Sequence, residues 1–179
     1  MLARLEVRIA MSLLLSVFEL FFAAAAPIGM ARGATVLAAS PEQRIRLSST
    51  PTRVAIGSAA PALEKEPLES ADGRRVFLVL EGLSAALTPG ATYDVFLGPA
   101  TGPNPSRDDP GYAGTLNFYD ISAATPTDAR AVSFDVTSVL ARLRDNGEIK
   151  NPLAVTFIPD APPQQNSEPV VGRLKLIAP

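Results

Sequence analysis

The side chains that could do chemistry in this chain are carboxylates, hydroxyls and aromatic rings, because its 179 residues include no histidine and no cysteine. Copper, zinc or thiol chemistry with the chain's own side chains is therefore not expected. The serines at Ser48, Ser49, Ser133 and Ser138 have no histidine to activate them, so the sequence does not favour a hydrolase. The net charge of -2 gives no reason to expect nucleic-acid binding.

Two pairs of carboxylates are candidates for a site. Adjacent Asp108 and Asp109 could coordinate a hard cation such as Ca²⁺, although such pairs more often form a solvated turn. Asp94 and Asp135 could form an acid–base pair, but a helix cap at Asp135 and an outward strand position at Asp94 explain them better. We therefore predict that the chain is not an enzyme and holds no catalytic residue, metal or cofactor.

The aromatic residues Tyr112, Phe118 and Tyr119 form the third candidate set. Strict alternation along a strand places Tyr112, Gly114, Leu116 and Phe118 on one face and Tyr119 on the other. One interpretation assigns Phe118 to the core. The other is that a bulky ring beside a loop tip plugs the active site of a partner, where a stiff support limits the entropy lost on docking. Tyr119 is the best candidate for such a plug, because it falls on the polar face and a phenol resembles a monophenol substrate.

The elements that must position these side chains are mostly strands. Apolar or alternating runs rich in β-branched and aromatic residues predict strands at 44–47, 53–56, 75–80, 92–97, 112–119, 131–135, 153–158 and 170–177. Apolar residues at helical spacing, followed by Asn146-Gly147, predict one short helix at about 135–145. Proline-rich connections at 58–74 and 98–111 are predicted surface loops. We predict a mainly β fold, an antiparallel β-sandwich or jelly-roll-like barrel with this one helix.

Residues 1–33 differ from the rest of the chain. Arg4 and Arg8 precede an apolar stretch that ends in small residues, which predicts a signal peptide and export to the periplasm or the extracellular space. An N-terminal anchor and an extension from a misplaced start codon are the alternatives. Glu19 interrupts the apolar run and disfavours a stable membrane span. After this segment we predict a linker with one or two edge strands at 34–74 and a β domain at 75–179.

Six blocks of the β domain, taken in order, resemble the C-terminal domain of the polyphenol oxidase and tyrosinase family. They read as an apolar strand ending in Glu-Gly, a Tyr-Asp-Val-Phe-Leu strand, a Gly-Tyr-Ala-Gly strand, a helix and two closing strands. The blocks lie at 76–82, 93–97, 111–118, 134–143, 153–159 and 170–176. Residues 34–57 also resemble the strand-rich linker that follows the copper domain in bacterial tyrosinases.

The resemblance implies an accessory role, because the family's copper domain is a helical bundle with six histidine ligands and this chain has none. In the family the C-terminal domain packs over the entrance of the copper site and keeps the enzyme latent. The expected partner is therefore a copper-containing phenol oxidase on another chain. The alternatives are a secreted β-sandwich that binds an envelope or carbohydrate ligand, and a truncated tyrosinase fragment. Tyr93 stands where plant members have phenylalanine.

Overall fold

Ten β-strands and one α-helix make up the described part of the chain. The computed structural model describes residues 34–41, 43–57, 75–98, 105–119, 121, 130–150 and 152–179, all within the unit Gly33–Pro179. The elements are β1 (Thr35–Ala39), β2 (Ile45–Arg46), β3 (Thr52–Ile56), β4 (Phe77–Glu81), β5 (Tyr93–Leu97), β6 (Tyr112–Leu116), β7 (Ala131–Asp135), α1 (Thr137–Asp145), β8 (Leu153–Pro159), β9 (Val170–Val171) and β10 (Arg173–Ala178).

Two four-stranded antiparallel sheets carry most of the structure. The first has the order β1-β10-β4-β7 and the second has the order β3-β8-β5-β6, while β2 and β9 form a short two-stranded sheet. The two large sheets come close at their edges, where the Gly57 N–H donates to the Ala39 carbonyl at 2.9 Å, but no strand ladder joins them into a closed barrel. This confirms the predicted mainly β fold and selects the sandwich from the two predicted forms.

The core lies between the sheets because alternate residues of each strand are apolar and face inward. In the first sheet, Leu78 and Leu80 of β4 lie opposite Leu176 and Leu174 of β10, and all four are fully buried. The matching inward residues of the second sheet are Tyr93, Val95, Leu97, Val155 and Phe157. Burying a side chain of this size stabilises the fold by roughly 1.5–3 kcal/mol, so these central strands anchor the molecule.

Helix α1 has the apolar spacing that its sequence predicts. Val139, Leu140 and Leu143 are buried. The Gly147 N–H bonds the Arg144 carbonyl and the Glu148 N–H bonds the Leu143 carbonyl, the two bonds of a Schellman stop at a glycine with φ 67°. The start differs slightly from the prediction: the N-cap is Val136, and the carboxylate of the preceding Asp135 accepts from the Thr137 N–H at 3.1 Å.

The strand register defines two ends of the sandwich. At one end β4 and β8 stop and β5 begins; Tyr93 lies opposite Pro159 and Leu116 there, and Tyr119 follows shortly after Leu116. We call this the Tyr119 end. At the opposite end, the helix end, α1 connects β7 to β8, and Thr35 lies opposite Ala178. The loops at the Tyr119 end pack on one another, since the Thr92 N–H donates to Asp160 at 2.8 Å.

The first two described segments, 34–41 and 43–57, contribute edge strands. β1 and β3 lie at sheet edges, and the sequence had predicted β3 but not β1. Residues 1–33, predicted to be a signal peptide, and the whole predicted loop 58–74 lie outside the described residues. The predictions made for them, and the predicted boundary at residue 75, stay predictions. No helix in the described part of the chain is both long and apolar enough to cross a membrane.

Candidate functional site

Tyr119 is held out to solvent on a firmly anchored turn. Its side chain is 71% exposed, although the preceding Phe118 is only 2% exposed and Ile121 is 8% exposed. The Ile121 N–H donates to the Phe118 carbonyl at 3.1 Å and closes the turn. The exposed ring of Tyr119 therefore lies between Phe118 and Ile121, which are both buried and are joined by this hydrogen bond.

Phe118 is the inner anchor of this turn. Its ring meets the Tyr93 ring edge-on, with the centroids 6.0 Å apart and the planes at 77°, an arrangement that aromatic quadrupoles favour. Tyr93 is fully buried and its hydroxyl has no hydrogen-bond partner. Burial raises the pKa of the Tyr93 phenol, and the Asp160 carboxylate raises it further. Phe118 therefore lies in the core, which agrees with the first interpretation offered for it and leaves Tyr119 as the accessible ring.

Tyr112, at the far end of β6, is tied into a polar chain. Its hydroxyl lies 2.7 Å from the Thr115 hydroxyl, which donates to the Asp94 carboxylate at 2.6 Å. Since the single Thr115 proton goes to Asp94, the Tyr112 hydroxyl must be the donor in the first bond. The Tyr112 ring also packs on Phe96, with centroids 5.6 Å apart. These contacts make Tyr112 part of the outer face of the second sheet.

The face predicted for Tyr112 is wrong, and a bulge is the reason. Val95 lies opposite Gly114 but the next residue, Phe96, lies opposite Tyr112, so Ala113 is an extra residue in β6. One inserted residue moves everything before it to the other face. Tyr112 therefore shares the outer face with Thr115, while Gly114 and Leu116 face the core side. Tyr112 begins β6 and Tyr119 follows the other end of the strand. Four residue steps of strand, about 13 Å, already lie between Tyr112 and Leu116, so the two phenols do not form one site.

The acidic pair at 108–109 belongs to a structured turn. Asp109 is 8% exposed, and its carboxylate accepts from the Gly111 N–H at 2.9 Å. Arg107 donates to Asp94 at 3.2 Å, and this hydrogen bond raises the pKa of Arg107. Arg142 of α1 donates to the Pro110 carbonyl at 3.0 Å. The segment 105–111 is thus hydrogen-bonded to both the second sheet and α1. These contacts explain Asp108 and Asp109 as parts of a structured turn.

The two aspartates considered as an acid–base pair are separated. Asp94 lies in β5 of the second sheet and binds Thr115 and Arg107. Asp135 lies in β7 of the first sheet, binds Thr137 and lies 3.8 Å from Arg75. Each carboxylate has its own partners, so the structure does not bring them together. Within the described ranges no three acidic, histidine or cysteine side chains cluster as a metal site would require.

Leu87 is an exposed side chain that sequence reasoning missed. It is 50% exposed on the connection between β4 and β5, at the same end of the sandwich as Tyr119. The sequence contains it in a mixed run of small and turn-forming residues without strand or helix periodicity, so no pattern distinguishes it from a core leucine. The partners of Asp94 were also missed, since Arg107 and Thr115 lie 13 and 21 residues away from it along the chain.

Comparison with known families gives one match over most of the chain. The family described as "Domain of unknown function (DUF7868)" matches residues 26–178. No curated protein matches the chain.

Comparison with solved structures identifies the fold. A latent aurone synthase, described as a polyphenol oxidase and co-crystallised with hexatungstotellurate(VI), has 21% identity and a TM-score of 0.54 over 76% of this chain. Another latent aurone synthase structure has 19% identity and a TM-score of 0.52 over 75%. Latent apple tyrosinase has 16% identity and a TM-score of 0.50 over 75%. This chain covers only 25%, 25% and 27% of those chains, so it shares the fold of about a quarter of each.

Proposed function

This chain belongs to the DUF7868 family, and we propose that it is a non-catalytic accessory domain that packs on a partner phenol oxidase and shields its dicopper site. The observation that carries the proposal is a pairing of fold and composition. The chain has the fold of about a quarter of a latent polyphenol oxidase, and its sequence has none of the histidines that copper ligation in that family uses. The quarter that it matches is, on this proposal, the C-terminal region.

Tyr119 is the residue proposed to enter the partner's site. A plug must be bulky and exposed, and Tyr119 is 71% exposed in a turn that the buried residues Phe118 and Ile121 close. Its ring is a phenol, the chemical class that such an enzyme oxidises, so the pocket of the partner would accept its shape. Tyr112 is a weaker candidate because its hydroxyl is already bonded to Thr115.

The structure gives less support to the rival role as a carbohydrate or envelope-ligand module. Stacking on a sugar uses exposed aromatic rings, and Tyr119 is the one aromatic residue among the large hydrophobic side chains exposed in the described part of the chain. A single exposed ring on a turn fits insertion into a pocket better than stacking against the face of a sugar. Export from the cytoplasm, which both roles need, stays a prediction from residues 1–33.

The test is a titration of the chain against a purified copper phenol oxidase that has no C-terminal domain of its own. Initial rates of o-diphenol oxidation are measured with increasing amounts of this chain, and association is measured separately by biolayer interferometry. We expect association and a saturable fall in rate. No association together with an unchanged rate would end the proposal.

Two variants at one position test the plug itself. Tyr119→Ser removes the ring, and we expect it to restore most of the oxidation rate at chain concentrations that inhibit in the parent. Tyr119→Phe keeps the ring and removes the hydroxyl, so it should inhibit about as well as the parent if occlusion by the ring is the cause. A Tyr119→Ser variant that inhibits as strongly as the parent would show that the plug lies elsewhere.

A further inference from the structure

We draw no further inference here: the strongest candidate, the apolar surface patch that Val36, Ile177 and Phe77 form across β1, β10 and β4 on the outer face of the first sheet, carries nothing, because no contact in the described part of the chain shows what covers that face.

Discussion

The two ends of strand β6 place the same kind of side chain in opposite environments. Tyr112 starts the strand, packs on Phe96 and donates to Thr115. Tyr119, just beyond the other end, is 71% exposed. The ring and the hydroxyl of Tyr112 make contacts within the fold, whereas the side chain of Tyr119 faces solvent. The difference teaches that neither residue type nor closeness in sequence decides which tyrosine is accessible to a second molecule; the contacts that the fold makes with each ring and hydroxyl decide it.

Substitution of Phe118, the buried residue next to Tyr119, should have the largest effect on stability. Phe118→Ala removes a ring that is 2% exposed and packs on Tyr93, so we expect a loss of about 3–5 kcal/mol in the free energy of unfolding. Tyr119→Ala, next to it, should change the same quantity by no more than about 0.5 kcal/mol because the side chain is exposed. Chemical denaturation of both variants measures the contrast. Similar losses at the two positions would mean that Tyr119 is also a packing residue.

The middle of β6 should give the next largest effect. A Cβ atom built on Gly114 would lie 2.5 Å from the Phe134 ring of β7, and the residue has φ 150°. We expect Gly114→Ala to cost about 1–3 kcal/mol, since the ring must move and the edge of one sheet with it. Gly57→Ala is the control, because a Cβ there would meet the Ala39 oxygen at an ordinary 3.4 Å. Equal thermal stability of the two variants would contradict the close approach of β6 and β7.

Substitutions in the hydrogen-bonded series Tyr112–Thr115–Asp94 should give a smaller loss of stability. Thr115→Val keeps the strand shape but removes the hydroxyl that links Tyr112 to Asp94, and we expect the free energy of unfolding to fall by about 1 kcal/mol. Tyr112→Phe should cost less, about 0.5 kcal/mol, since it leaves the Thr115–Asp94 bond intact. The double variant should lose less than the sum of the two, because both substitutions break the same bond. Additive losses in urea denaturation would show that Tyr112 and Thr115 do not interact.

Tyr93 should give an effect that appears only at high pH. Burial raises the pKa of this phenol above its value in the unfolded chain, so the folded state holds the proton more tightly. The contribution to stability is complete below the unfolded pKa of about 10 and is lost as the pH rises toward the folded value. We expect the parent to lose stability above about pH 10 more steeply than Tyr93→Phe. At pH 7 the variant should be as stable as the parent, because the hydroxyl has no partner there.

Matching slopes for the parent and Tyr93→Phe in alkaline denaturation would contradict this assignment. The comparison also bears on Tyr119, since Tyr93 carries the ring on which Phe118 rests. Of the three tyrosines, one is buried, one is bonded at the surface and one is free.

The parts of the fold that the sequence predicts are those set by local physics. Strands at the positions of β4 and β10, and the helical spacing of Val139, Leu140 and Leu143, were predicted correctly because apolar runs rich in β-branched residues and the burial of one helix face are local patterns. The stop at Asn146-Gly147 was also predictable, since glycine alone adopts the left-handed C′ conformation at little cost. β1 was missed because its sequence, Thr-Val-Leu-Ala-Ala, directly follows the apolar N-terminal segment and shows no clear alternation.

The candidate site depended on features that have no local signature. The extra residue Ala113 places Tyr112 on the opposite face from the one predicted. No residue type around Ala113 indicates a bulge, because the bulge arises from pairing with β5. The hydrogen-bond partners of the Asp94 carboxylate, Arg107 and Thr115, lie 13 and 21 residues away along the chain. The turn that carries Leu87 is held by hydrogen bonds to the Ser167 carbonyl, 80 residues away along the chain, and no local pattern contains that contact.

Composition and periodicity were enough to establish that this is a mainly β chain with no histidine or cysteine, because those properties follow from residue identity and from the geometry of a single strand or helix. Which phenol is structural and which is accessible depended on folding, as did the end of the sandwich that carries Tyr119 and Leu87. The physical reason is that exposure and hydrogen bonding are relations between distant segments. Strand register and sheet packing bring those segments together, and a single stretch of sequence contains neither.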